Sequence, residues 1–238
     1  MEASDMLRGR THRCQILGIG HQRSRGVKGG VIVDMEEAEN AIRLAVDAAE
    51  RMAGVQVESV IVNVTGGRIG SQHYAAKIGV SHGGGVGIRH SSRAGGVQRR
   101  ARRGRGGRCC IRCRRATGST TARGIRDPKG MFGDELGADM HVVSCDAAAA
   151  RNLMLAVERC HLGVEAMVAT PYASGLSALV DDEAEMGTAL IDLGGGTTSI
   201  GMFAGGSLTH VDAMAVGGNH ITMDIARGLN TRSPTPSG

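Results

Sequence analysis

Leu190-Ile191-Asp192-Leu193-Gly194-Gly195-Gly196-Thr197-Thr198-Ser199-Ile200-Gly201-Met202-Phe203 is the stretch from which the fold can be read. An apolar run carrying one Asp ends in three glycines and two threonines, and a second strand-like run follows. Glycine has no side chain, so a glycine turn lets backbone N–H groups approach phosphate oxygens closely. The hydroxyls of Thr197 and Thr198 add donors. A carboxylate at a strand end, here Asp192, can hold Mg²⁺ through water, because Mg²⁺ keeps most of its hydration shell. No Gly-Lys-Ser/Thr follows, which excludes a Walker loop. No helix follows directly, which excludes a dinucleotide fingerprint. A bare Gly-Gly-Gly would more often be a plain turn. The Asp and the flanking strands make a phosphate-binding hairpin the better reading, with Asp192, Gly194, Gly195, Gly196, Thr197 and Thr198 as nucleotide-binding candidates and Asp192 as the metal candidate.

Around this hairpin, Thr188–Leu193, Thr198–Phe203 and Ser207–Ala215 read as three strands joined by tight turns. Gly205-Gly206 suits a two-residue hairpin connection. Gly217 and Gly218 precede a helix predicted over Ile221–Gly228. A glycine pair at a helix N-terminus can also approach a nucleotide, so both join the candidates; a simple strand-to-helix turn is the equal alternative.

Upstream, Gln15–Gly20 reads as a short strand, and Gly26, Gly29 and Gly30 mark a loop. Asp34 and Glu37 form a capping box before an apolar series of helical spacing, Met35, Ala38, Ile42, Ala45, Ala49 and Met52. Gly54 is a natural helix stop. Val57–Val64 and Met140–Ser144 are predicted strands. Asp146 is predicted to cap a helix with Ala150, Leu153, Val157 and Cys160 on its inner face and Gly163 at its end. Val164–Ala169 reads as a strand, Pro171 as a helix start continued by Ser174–Val180, and Asp181 to Glu185 as an acidic turn. Strands alternating with helices, then a β-meander, indicate an α/β fold.

The 238 residues suffice for one large domain or two small ones and for a sizeable core. With two Phe, two Tyr and no Trp, that core must rest on aliphatic residues and Met. No run of about 20 apolar residues reads as a membrane span. Met1 to Arg13 lacks the apolar run of a secretory signal. Six scattered cysteines fit a reducing compartment better than a disulfide framework. The formal net charge of +5 conceals a division, because thirteen arginines lie between His82 and Arg126, where no Asp or Glu occurs. The rest of the chain is acidic. From His82 to Gly118 Gly and Arg dominate without periodicity, and such a segment is expected to be disordered or badly packed.

Several segments, in order, resemble the bacterial cell-division protein FtsA, an actin homologue. They are Gly18-Ile19-Gly20, Ser24 to Gly30, Asn63-Val64-Thr65-Gly66-Gly67, Ala156-Val157-Glu158-Arg159-Cys160, the triple-glycine hairpin, and Gly217-Gly218-Asn219. The resemblance covers Cys14 to about Val80 and Gly124 to about Arg232. It implies an incomplete actin-like, ribonuclease H-like ATPase fold, a mixed sheet flanked by helices. Residues 1–80 and 124–186 would form the first lobe, 81–123 would replace the inserted subdomain, and 187–238 would begin the second lobe. It also implies ATP and Mg²⁺ as ligands, self-polymerisation, the tubulin-like FtsZ and later division proteins as partners, and a place on the inner face of the cell membrane at the division site.

The departures from that pattern shape the expectation. Met1 to Gln15 contains no first phosphate hairpin, and Ser233 to Gly238 matches nothing in the family. The Arg/Gly block has the composition of GC-rich DNA read out of frame, which sequencing the coding DNA tests. The chain is therefore expected to bind ATP weakly or not at all and not to hydrolyse it. Related actin-like ATPases of pilus assembly, cell shape or chaperone type are the alternatives within the superfamily. From another class, the arginines could serve as a nucleic-acid arm, but no aromatic residues interleave them for base stacking, so only non-specific binding is expected. Cys110 and Cys113 form a CxxC pair with no second pair at zinc-finger spacing. His12, His21, His141, His161, His210 and His220 share no ligand spacing, and Met167, Met202, Met214 and Met223 read as core residues.

Overall fold

The computed structural model describes residues 15–79, 108–112, 118–119 and 135–231. A two-residue hairpin of β1 (Val27–Lys28) and β2 (Val31–Ile32) turns at Gly29-Gly30 and leads into α1 (Met35–Ala53). The Asp34 side chain caps that helix by accepting the Glu37 N–H at 3.1 Å, and Gly54 ends it in the left-handed conformation. β3 (Ser59–Val64) follows, then β4 (Gly70–Gly79), which the sequence does not announce. β5 (Arg108–Arg112), β6 (Gly118–Ser119) and β7 (Glu135–Asp146) come next. The remaining elements are α2 (Ala147–Glu158), β8 (Gly163–Ala169), α3 (Thr170–Ala178), α4 (Asp181–Met186), β9 (Thr188–Leu193), β10 (Thr198–Ala204), β11 (Ser207–Met214) and α5 (Gly218–Gly228).

β3 and β8 pair in parallel, so their carboxyl ends, Val64 and Ala169, lie side by side. β4 runs antiparallel to β7 along its own whole length, from Gly70 opposite Ser144 to Gly79 opposite Glu135, and β7 also receives β5 and β6. β9, β10 and β11 form an antiparallel meander with β10 in the centre. Gly205 and Gly206 both take positive φ at its tight turn, as a primed hairpin turn requires. One cluster of buried residues joins these sheets: Val64, Ile69, Val143, Cys145, Ala150, Ala169, Phe203, Leu208 and Val211. Fully burying one such aliphatic side chain stabilises by about 1.5–3 kcal/mol.

Several sequence expectations are corrected. Gln15–Gly20 is not a strand but an irregular segment laid against α1, with Gly18 and Gly20 pressed on the backbone of Ala49 and Ala45. Arg108–Arg112, inside the block expected to be disordered, pairs with β7. Apart from Gly118, which pairs with β7 in β6, the remainder of that block, Cys113 of the CxxC pair included, lies outside the described residues, as does His12. Gly163 begins β8 instead of ending α2; the helix stops at Glu158, and His161 takes the left-handed conformation. The acidic run is the short helix α4. Met202, Met214 and Met223 are exposed, because nothing described covers the outer face of the meander or that side of α5.

The junction between β4–β7 and the meander is polar. His141, 2% exposed, stacks on His73 with ring centroids 4.8 Å apart. Its Nε2 is hydrogen-bonded to Ser71 Oγ, which in turn accepts the Val211 N–H at 3.1 Å. Burial first, then the neighbouring His73 and His210, pull the His141 pKa down to about 4, against an opposing contribution from the Leu208 backbone. The folded state thus holds His141 neutral, while the unfolded chain takes up its proton near pH 6.5. Stability from this site is complete above about pH 6.5 and is lost as pH falls towards 4, at up to about 1.4 kcal/mol per pH unit. Denaturant titrations at pH 7 and pH 5 should show that loss, and His141→Gln should remove this part of the slope. In the same core, a Cβ at Gly175 would enter the Phe203 ring. Gly175→Ala should therefore cost about 1–3 kcal/mol of stability, read as a lower denaturation midpoint.

Candidate functional site

The parallel pair β3–β8 sets the site. Ligands of open α/β sheets sit outside the carboxyl ends of parallel strands. At these ends the chain places Thr65-Gly66-Gly67 after β3 and Thr170-Pro171 after β8, and the Thr65 and Thr170 hydroxyls are 2.7 Å apart. The β1–β2 turn meets the same loop: a Cβ on Gly30 would stand 2.6 Å from the Gly66 nitrogen. From the other side comes the β9–β10 hairpin. A Cβ on Gly196 would stand 3.7 Å from the Gly29 nitrogen. Three glycine turns thus converge with almost no side-chain volume between them.

Within the triple-glycine turn, the Gly194 N–H donates to the Thr197 carbonyl at 2.9 Å. Among the described residues, the N–H groups of Gly195, Gly196 and Thr197 have no protein acceptor. Unpaired donors on consecutive turn residues form an anion-binding concavity. Asp192 is half-buried just before the turn, and its Oδ2 accepts from Ser174 Oγ at 2.8 Å. Ser199, directly across the strand pair from Asp192, is fully buried, and its hydroxyl has no partner among the described residues. A buried hydroxyl without a partner keeps its hydrogen-bonding capacity for an incoming group. This donor and acceptor set suits a phosphate with a hydrated hard cation.

The other candidates are placed beside the hairpin with their polar groups already engaged. Thr198 Oγ1 donates to the Val216 carbonyl at 2.7 Å. The Gly217 N–H donates to His220 Nδ1 at 3.2 Å. The N–H groups of Gly218 and Asn219 donate to the carbonyls of Gly194 and Gly195, each at 2.9 Å. These contacts fasten the start of α5 to the glycine turn. Sequence reasoning missed Gly29, Gly30, Thr65, Thr170 and Ser174 as site residues. The Gly-Gly doublets were visible, but only the parallel pairing of β3 and β8 brings them to one place. Among the described residues no group of three or more His, Cys, Asp or Glu could hold a metal.

Residues 189–234, which include the glycine hairpin and α5, match the family described as Cell division protein FtsA. The chain is 54% identical over 237 residues to Cell division protein FtsA of Agrobacterium fabrum, covering 97% of this chain and 52% of that protein. It is 34% identical to the protein of the same name from Pseudomonas aeruginosa, over 91% of this chain and 52% of that one. The Escherichia coli protein is 30% identical, over 91% of this chain and 51% of that one. The chain therefore spans about half the length of the curated relatives it matches. Among solved structures, the PilM-PilN type IV pilus biogenesis complex aligns with a TM-score of 0.58 at 14% identity, covering 88% of this chain and 57% of that one. The resemblance to FtsA and the actin-like α/β fold both hold.

A Cβ on Gly217 would stand 2.8 Å from the Gly195 carbonyl carbon, so Gly217→Ala must push α5 off the hairpin. That variant should lose about 1–3 kcal/mol of stability. Its Gly194 to Gly196 amides should also exchange with deuterium faster, which NMR reads residue by residue.

Proposed function

Given a relation to FtsA that runs through 97% of the chain, we propose that the protein acts in bacterial cell division as an actin-like, nucleotide-binding component. ATP with Mg²⁺ is the proposed ligand. The N–H groups of Gly195, Gly196 and Thr197, with the Thr197 hydroxyl, receive phosphate oxygens. Asp192 holds the hydrated cation, which offsets phosphate charge when bound. The Thr65–Thr170 pair forms a polar floor at the ends of β3 and β8. The division of residues 1–80 and 124–186 from 187–238 as two lobes belongs to the same reading, with the nucleotide between them. The single observation that carries it is the convergence of glycine turns on unpaired N–H groups beside Asp192.

The family relation extends the proposal to partners and place. FtsZ, later division proteins and further copies of the protein are the proposed partners, at the cytoplasmic face of the cell membrane where division occurs. Among the described residues no helix is long and apolar enough to cross a membrane, and attachment is proposed to be peripheral. The likeness to the pilus complex concerns the fold alone.

Titrating ¹⁵N-labelled protein with Mg·ATP should shift the amides of Gly195, Gly196 and Thr197 in a saturable way. Shifts absent from that turn at millimolar ATP would sink the nucleotide reading.

A further inference from the structure

α3 is seated unusually close to the meander. Pro171 is buried against Gly201, where a Cβ on the glycine would stand 3.0 Å from the proline Cβ. Gly175 lies on the Phe203 ring with no room for a methyl group. Two contacts one turn apart therefore fix the helix at a set height over β10. On that helix Thr170 and Ser174 are four residues apart, so they share a face. Thr170 reaches Thr65 at the end of β3, and Ser174 reaches Asp192 at the end of β9.

The Ser174–Asp192 bond joins a neutral donor to a carboxylate at 2.8 Å, the length of a well-formed charge-assisted hydrogen bond. It engages Oδ2. Among the described residues Oδ1 has no donor, and the partnerless Ser199 hydroxyl belongs to the residue directly across from it in the strand register. Carboxylates that hold cations are themselves held by outer partners, which fix the oxygen presented to the ion. A hydroxyl at this position has one proton to give, and Ser174 gives it to Oδ2, so the lone pairs of Oδ1 stay unclaimed among the described residues.

We propose that Ser174 is a positioning residue: it locks the Asp192 carboxylate so that Oδ1 is presented to the water shell of the Mg²⁺ that accompanies ATP. The inference rests on the nucleotide reading above. Ser174 touches neither phosphate nor cation in this scheme and acts only through Asp192. A merely structural Ser174 would instead affect stability and metal-free binding alike.

The test compares ATP affinity in MgCl₂ with that in EDTA by the same amide titration, on the full chain. The parent should bind ATP more tightly with Mg²⁺. Ser174→Ala should reduce that Mg²⁺ advantage by about tenfold, the loss expected for one hydrogen bond to a charged group, or to none if the advantage is smaller. Metal-free affinity should stay the same. Ser174→Thr keeps the hydroxyl and should restore the advantage, while Asp192→Asn should abolish it. A Ser174→Ala chain with the full Mg²⁺ advantage, or with equal losses in both buffers, overturns the inference and leaves the nucleotide reading standing. A parent that binds no ATP overturns both. Should Ser174→Ala fail to fold, Mn·ATP added to the parent decides: paramagnetic broadening should be strongest at Asp192 and Ser199, and its absence there overturns the inference.

Discussion

At Gly217 the backbone lies so close to the carbonyls of Gly194 and Gly195 that a methyl group has no place between them. The same happens at Gly30 against Gly66, and at Gly175 against the far end of the Phe203 ring. The approaches at Gly217 and Gly30 bring polar backbone near polar backbone, so the groups so exposed must find partners. Around the hairpin, the N–H groups of Gly218 and Asn219 find the carbonyls of Gly194 and Gly195. Close packing of main chain thus sets the shape of the turn, and the shape leaves a short run of donors without acceptors among the described residues. The site follows from steric permission first and from charge second.

The core and the site depend on one another through α3 and β7. Phe203 and Leu208 on the meander, Val143 and Cys145 on β7, and Val64 and Ala169 at the ends of the parallel pair belong to a single buried cluster. The apolar contacts carry the strands to their positions, and polar bonds then fix their relative register across the junctions. Ser71 is one such fastening, since it joins His141 on β7 to the Val211 N–H on β11. Ser174 is another, since it joins α3 to Asp192. Both use the short hydroxyl of a half-buried serine at a junction between elements.

Local signals made much of the fold legible. Asp34 with Gly54 bounded α1, Pro171 marked the start of α3, and Gly205-Gly206 located the meander turn. The hairpin residues Asp192 to Thr198 were readable because their chemistry is contiguous in sequence. What could not be read depends on pairing across long separations. β4 carries no clear alternation, and its identity as a strand comes from its ladder with β7. Gln15–Gly20 has strand-like composition, but its glycines are matched to the surface of α1 instead of a neighbouring strand. The engagement of Thr198 and Gly217 by protein groups, and the meeting of Thr65 with Thr170, required three-dimensional proximity that no spacing rule supplies.

Among the described residues, the outer face of the meander is apolar and open. Ile191 and Leu193 are 61% and 73% exposed there, and Met202 and Met214 share that side of the sheet while Met223 projects from α5. Thioethers open to solvent are oxidised to sulfoxides readily, and each oxidation turns an apolar contact polar. Mild peroxide therefore works as a footprint. Sulfoxide at Met202, Met214 and Met223, read by peptide mass spectrometry, marks molecules whose face is bare, and protection marks molecules in which something has come to lie against it. The same three sulfurs make handling in air a variable to control whenever assembly of this protein is studied.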